Sequence, residues 1–245
     1  MGQLLELMTW KEAEAALNAA SIVVIPLGAA SKEHGLHLQL RNDWLLAEYL
    51  KEQVLEHCNV IVLPTINYSY YPAFVEYPGS ISLSAETSSK MICEICRSIA
   101  AFGPKRFYVL NTGISTLNPL QVAKEDLAKD AISLHYTNLD QALDHPLLKD
   151  LAEQEGGSHA DEIETSMMLH IAPASVNMEL ARHDFQHNAE GRLSRDPDAG
   201  LSYSASGVWG DARLASKVKG EKVVKCLVEQ IIKDIETLGQ NSESN

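Results

Sequence analysis

The residues best suited to chemistry lie between Val24 and Asp43, in the stretch VIPLGAASKEHGLHLQLRND. It starts as a buried strand, breaks at Pro26 and Gly28, and then carries Lys32, Glu33, His34, His37 and Asp43 in one loop. Ionisable groups crowded after a strand are a poor way to build a core and a good way to build a metal or acid–base site. A second group follows Gly156-Gly157-Ser158, with His159, Asp161, Glu162 and Glu164 at the start of an expected helix. Glu162 and Glu164 point about 200° apart on such a helix, so only one of them can share a face with His159, and the spacing favours Glu164. Imidazole and carboxylate donors suit zinc, manganese or iron. Water activated by a metal, and hence hydrolysis, is the reaction such a group supports most readily.

The elements that must position these residues alternate. A capping box, Thr9 with Glu12, opens a helix expected to reach about Ala20. Apolar β-branched runs at 21–26, 60–63, 106–110 and 132–136 read as buried parallel strands. Helices are expected from Asn42 or Asp43 through WLLAEYLKEQVLEH, over 84–102, from Asn118-Pro119 to about Lys129, from Asp161 to near Ile171, and over about 212–238. This alternation predicts an α/β fold: a single layered domain, residues 1–238, with a mostly parallel β-sheet flanked by helices. Residues 239–245 read as a disordered polar tail. In such a sheet ligands bind beyond the strands' carboxyl ends, where the 28–43 loop, Asn111-Thr-Gly-Ile-Ser-Thr116 and the His159 turn all fall. The aromatic segment INYSYYPAFVEYPG lines a pocket or interface, or simply covers the sheet edge.

Composition narrows the partners. A formal net charge of −13 over 245 residues leaves no basic field for nucleic acid or an anionic membrane. No apolar run approaches the ~20 residues that span a bilayer. The N-terminus lacks a basic signal-peptide region, so cytoplasmic location is the default. Cys93-Glu-Ile-Cys96 lies mid-helix and reads as core packing rather than a redox pair or zinc knuckle.

Four collinear motifs carry a resemblance. Pro26-Leu-Gly…Glu-His34-Gly-Leu-His37-Leu-Gln-Leu-Arg-Asn-Asp43 resembles the first signature of the creatininase (creatinine amidohydrolase) family, P-x-G-S-x-E-Q-H-G-P-H-L-P-L-x-x-D. Tyr77-Pro-Gly-Ser-Ile-Ser-Leu83 resembles its F-P-G-T-I-S-L, and His159-Ala-Asp-Glu-Ile-Glu164-Thr-Ser its H-A-G-E-x-E-T-S. Ser206-Gly-Val-Trp-Gly-Asp211 resembles its G-x-x-G-D segment. The resemblance implies a creatininase-like parallel α/β fold, a homo-oligomer (hexamer), and amide hydrolysis of a small molecule at a metal pair. It puts His34 and Asp43 at ligand positions, Asp43 bridging, and His159 and Glu164 where substrate is bound or protons are shuttled.

The departures are specific. Lys32 stands where the family has a ligand Glu, and Glu33 where it has Gln. Gly113 and Ser115 stand where the third-strand loop carries ligands. The expectation is therefore an amidohydrolase with a modified site holding one divalent ion (zinc, manganese or iron) rather than two, or none. Lys32 replaces one ion electrostatically by pairing with Asp43 or Glu164. His34 and Asp43 hold the metal, His159, Glu164 and Glu33 are the catalytic groups, and Lys32, His37, Asn111, Ser115 and Glu162 bind substrate. The reading from another class is a non-catalytic descendant that binds a small molecule or serves as an assembly partner.

Overall fold

The computed structural model describes residues 1–18, 21–139, 150–187 and 191–240. Its centre is a five-stranded sheet in the order β1 (Gln3–Leu4), β3 (Ile61–Val62), β2 (Ile22–Leu27), β4 (Arg106–Asn111), β5 (Ser133–Tyr136), with every pairing parallel. All six residues of β2 are buried, as its unbroken IVVIPL sequence requires of a central strand covered on both faces. Side chains alternate between the faces. Val24, Tyr108 and Leu110 pack against α2 (Asn42–His57), α5 (Glu162–Ile171) and α6 (Lys217–Gln240). Val23, Ile25, Phe107 and Val109 pack against α3 (Ala85–Ala100) and α4 (Leu117–Ala128). Cys93 and Cys96 lie within that second layer, and all four cysteines are buried and free.

The chain runs from β2 to β3 on one side of the sheet, then returns through α3 to β4 on the other side of β2. This reversal leaves a crevice at the carboxyl ends of β2 and β4, the place where open α/β sheets bind ligands. Gly28 makes the crevice tight: a Cβ there would collide with the Asp43 carbonyl, so only glycine lets α2 begin against the end of β2. Thr112 Oγ1 donates to the carbonyls of Leu27 and Asp43 at 3.0 and 3.2 Å, joining β4 to the same corner.

Several boundaries differ from the sequence reading. Helix α1 (Trp10–Ala16) opens on the expected Thr9–Glu12 capping box but stops at Leu17, which is extended; Ala19 and Ala20 lie outside the described residues. The last helix starts at Lys217, because Asp211 caps a separate turn over Ala212–Leu214. It continues through Gln240, two residues into the expected tail; residues 241–245 lie outside the description. The expected loop over 187–210 contains β7 (Leu193–Ser194) paired with β8 (Ser202–Tyr203). It ends at β9 (Gly210–Asp211), which pairs antiparallel with β6 (His183–Asp184). No helix among the described residues is long and apolar enough to cross a membrane.

Candidate active site

Asp43 enters the crevice from the first turn of α2, where the helix dipole favours a carboxylate. Its side chain is 2% exposed, and both oxygens face cations or imidazole. Oδ1 lies 2.7 Å from His34 Nε2, and Oδ2 lies 2.7 Å from the Lys32 ammonium. The Lys32 contact is an ion pair rather than an aligned hydrogen bond. The ammonium also sits over the rings of Phe74 and Tyr71, 4.8 and 5.6 Å from their centroids. Burial would raise the Asp43 carboxyl; Lys32 and His34 outweigh it and hold the group below the usual carboxylate range. Lys32 thus points into the protein and pairs with Asp43, the first of the two partners expected for it.

His34 Nδ1 lies 3.0 Å from the Lys32 carbonyl and Nε2 lies 2.7 Å from Asp43 Oδ1, so both ring nitrogens face oxygen acceptors. A second pair lies alongside. Glu33 Oε2 is 2.9 Å from His159 Nε2, and Glu33 Oε1 accepts from the Gly35 amide. The Glu33 carboxylate fits only because Gly207, at φ 80°, has no side chain; a Cβ there would strike Oε1. Burial raises the Glu33 carboxyl, but the neighbouring imidazoles reverse this and lower it overall. Burial likewise opposes charge on His159, and Glu33 and Glu164 outweigh it, so its pKa is raised. The two rings, His34 and His159, are 5.0 Å apart, and the Phe74 ring lies 4.2 Å from His159.

Glu164 belongs to α5, whose N-cap Asp161 accepts from the amides of Ile163 and Glu164 at 2.9 and 3.0 Å. Burial and the nearby Glu164 push the Asp161 carboxyl up to about 6. Glu164 Oε2 accepts from the Ala160 amide at 2.5 Å and lies 3.6 Å from His159 Nδ1. Ala160 itself has φ 48°, a left-handed conformation that alanine adopts only where its surroundings impose it. Donor atoms of His34, His159 and Glu164 lie within 4.8 Å of one another.

These groups open onto a cleft of about 620 Å³. Lys32, Ser115, His159 and Glu164 line it, with His34, Asp43 and Glu33 behind them. Three expected substrate contacts are placed elsewhere. Glu162 is fully buried and turned away, accepting from the amides of Glu153 and Gln154 and pairing with Lys219 at 2.5 Å, as the opposed helix faces require. Asn111 is fully buried and braces its own loop, donating to the carbonyls of Gly113 and Thr137 and accepting from Thr116. His37 is buried against Thr165 Oγ1 at 2.7 Å, and its pKa is lowered to about 4, chiefly by burial. Sequence reasoning missed Phe74, Trp209, Arg192 and Gln154, which also line the cleft. The run of aromatics at 68–77 carried a signal for Phe74, and the V-W-G motif one for Trp209. Of the aromatic segment, Tyr71, Phe74 and Tyr77 are buried beside the site, whereas Tyr68 is exposed.

Two imidazoles and three carboxylates thus meet at the sheet's switch point. A family profile described as creatinine amidohydrolase matches residues 6–235. The chain belongs to the creatininase family. The creatinine amidohydrolase of Pseudomonas putida is 25% identical, over 91% of this chain and 92% of its own. The mycofactocin precursor peptide peptidase of Mycobacterium ulcerans (strain Agy99) is 26% identical, over 87% of this chain and 84% of its own. A crystal structure of creatininase shares the fold with a TM-score of 0.81 at 24% identity, covering 96% of each chain. The family and these relatives are hydrolases acting on carbon–nitrogen bonds, and the chain is an enzyme of that family. Solved creatininases include a Zn–Zn form and a manganese form.

Proposed function

We propose that this creatininase-family protein hydrolyses an amide or cyclic amide bond of a small molecule at a site where Lys32 takes the place of a second metal ion. The observation that carries the reading is the buried Lys32–Asp43 pair at 2.7 Å. An ammonium on Oδ2 fills and charges the position that a second ion on a bridging carboxylate would need. The other side offers donors for an ion: His34 Nε2 and Asp43 Oδ1 face each other, and a Glu164 carboxylate oxygen lies within 4.8 Å of a His34 ring nitrogen. Charge agrees. With both imidazoles neutral, Glu33, Asp43 and Glu164 against Lys32 leave two net negative charges, which one divalent ion would cancel.

When bound, a zinc or manganese ion supplies Lewis acidity to an amide carbonyl and activates water for attack. The chain's own groups do the rest. Glu33 accepts from His159 Nε2–H, leaving Nδ1 on the cleft side beside Glu164 to take a proton from water and return it to the leaving nitrogen. Lys32 holds a fixed positive charge where negative charge develops on the carbonyl oxygen. Phe74 and Trp209 limit water, and Ser115 meets the substrate at the loop after β4. A cleft of about 620 Å³ suits a small diffusible substrate, and the free buried cysteines suit a reducing cytoplasm.

A homo-oligomer, a hexamer by family resemblance, belongs to the same proposal. The exposed Leu36, Leu40 and Ile81 near the first motif support it, and sedimentation velocity tests it. The hydrolase reading is tested on a panel of cyclic amides and formamides. Turnover by the wild type that is lost in Asp43→Ala is expected; a panel uniformly inert with metal-loaded protein contradicts it.

A further inference from the structure

Residues 151–158 form one wall of the cleft, and at their centre is Gln154, which takes no part in the chemistry above. Its side-chain amide makes bonds to separate segments. Nε2 donates to Asp161 Oδ2 at 2.7 Å, while Oε1 accepts from the amides of Glu162 and Asp211 at 3.1 and 2.9 Å. Two glycines make room for it. A Cβ on Gly157 (φ 113°) would collide with Nε2, and one on Gly210 (φ 143°) would lie 2.6 Å from Oε1.

What Gln154 joins is the frame of the acid–base groups. Asp161 caps the helix turn that carries Glu164. Gly210–Asp211 extends directly from Trp209, whose backbone bonds His159 in both directions, at 2.8 and 3.4 Å. The His159 turn and the Glu164 turn therefore hang from one planar amide. We propose that Gln154 is a positioning residue that sets the His159 and Glu164 side chains relative to each other through Asp161 and the 209–211 strand. An amide meets the pattern without taking up a proton: a donor toward a carboxylate and an acceptor toward two N–H groups on one rigid plane.

That chemistry gives a reciprocal test. Gln154→Glu keeps the shape but sets a carboxyl against the Asp161 carboxyl. Adding Asp161→Asn restores a donor–acceptor pair with its direction reversed, and asparagine also caps helices. The proposal rests on the hydrolase reading only in its kinetic arm. The wild type, both single variants and the double variant are compared by kcat and KM on the best substrate of the amide panel. The same four proteins give long-range 1H–15N spectra of the His159 ring and thermal midpoints.

Gln154→Glu is expected to shift the His159 ring signals and to lower kcat about tenfold with KM within about twofold. The double variant is expected to recover the wild-type ring signals and kcat to within about threefold. Should Gln154→Glu fail to fold, the double variant must fold and regain both. A double variant no better than the single one, or unmoved ring signals in Gln154→Glu, overturns the proposal. A wild type inert on the panel refutes the hydrolase reading instead and leaves the ring signals to decide the role of Gln154.

Discussion

Replacing Lys32 by methionine isolates the contribution of its charge. The substitution removes an ammonium 2.7 Å from Asp43 Oδ2 and its contacts with the Phe74 and Tyr71 rings. It leaves a carboxylate 2% exposed, with His34 as its remaining partner. Breaking a buried pair from one side costs about 3–5 kcal/mol, and the flexible methionine recovers part of the packing, so we expect a loss of about 3 kcal/mol. That is a large share of the roughly 5–15 kcal/mol available to a domain. Urea unfolding at pH 7 in chelator reads it as a lower midpoint at constant slope. The loss is expected to shrink as pH falls, because the unpaired Asp43 then takes up a proton instead of holding a buried charge. Zinc at about a hundredfold over its dissociation constant should return about 2.7 kcal/mol. A loss under about 1 kcal/mol in chelator, with no response to zinc or pH, would refute the buried-charge reasoning.

Other perturbations report on neighbouring parts of the site. Gly207→Ala forces a side chain at φ 80° onto Glu33 Oε1, and we expect about 1–3 kcal/mol of destabilisation with the Glu33–His159 contact broken, visible as a shifted His159 ring resonance. Glu162→Gln removes the buried partner of Lys219 and should cost about 2 kcal/mol in thermal or urea unfolding, while KM of the folded protein stays unchanged. The pH dependence of stability combines two signs. Glu33 and Asp43 have depressed folded-state values, so their contributions are full above about pH 4.5 and fall away as pH drops through those values. Asp161, raised to about 6, is penalised when ionised, so stability rises as pH falls through 6. His37, lowered to about 4, works the other way as pH falls below 6.5 and offsets Asp161. Urea midpoints should therefore stay nearly level from pH 6.5 to about 4.5 and drop steeply below; a sharp maximum near pH 5 would contradict these assignments.

Much of the fold was legible because its signals are local. An unbroken apolar IVVIPL run has few alternatives to a central strand, and alternating strands and helices leave few topologies. The site was legible where a motif fixed the side chain's direction. Lys32, His34 and Asp43 meet as their loop and helix start implied, and Glu164 rather than Glu162 turns toward His159. It was opaque where the direction depends on distant chain. Asn111 and His37 looked available because they are polar and near the crevice. Only the packed structure shows Asn111 bracing its loop against Thr137 and His37 closing on Thr165. Gln154 had no signal, since its partners Asp161 and Asp211 come from separate segments.

The central claim is that one ammonium stands in for one ion, and metal stoichiometry tests it most directly. Protein reconstituted with zinc or manganese, freed of loosely bound ion and measured by elemental analysis, should hold one ion per chain. Lys32→Glu, which restores a carboxylate at the family's ligand position, should move the value toward two. Two tightly bound ions in the wild type, or no change in Lys32→Glu, would contradict the account.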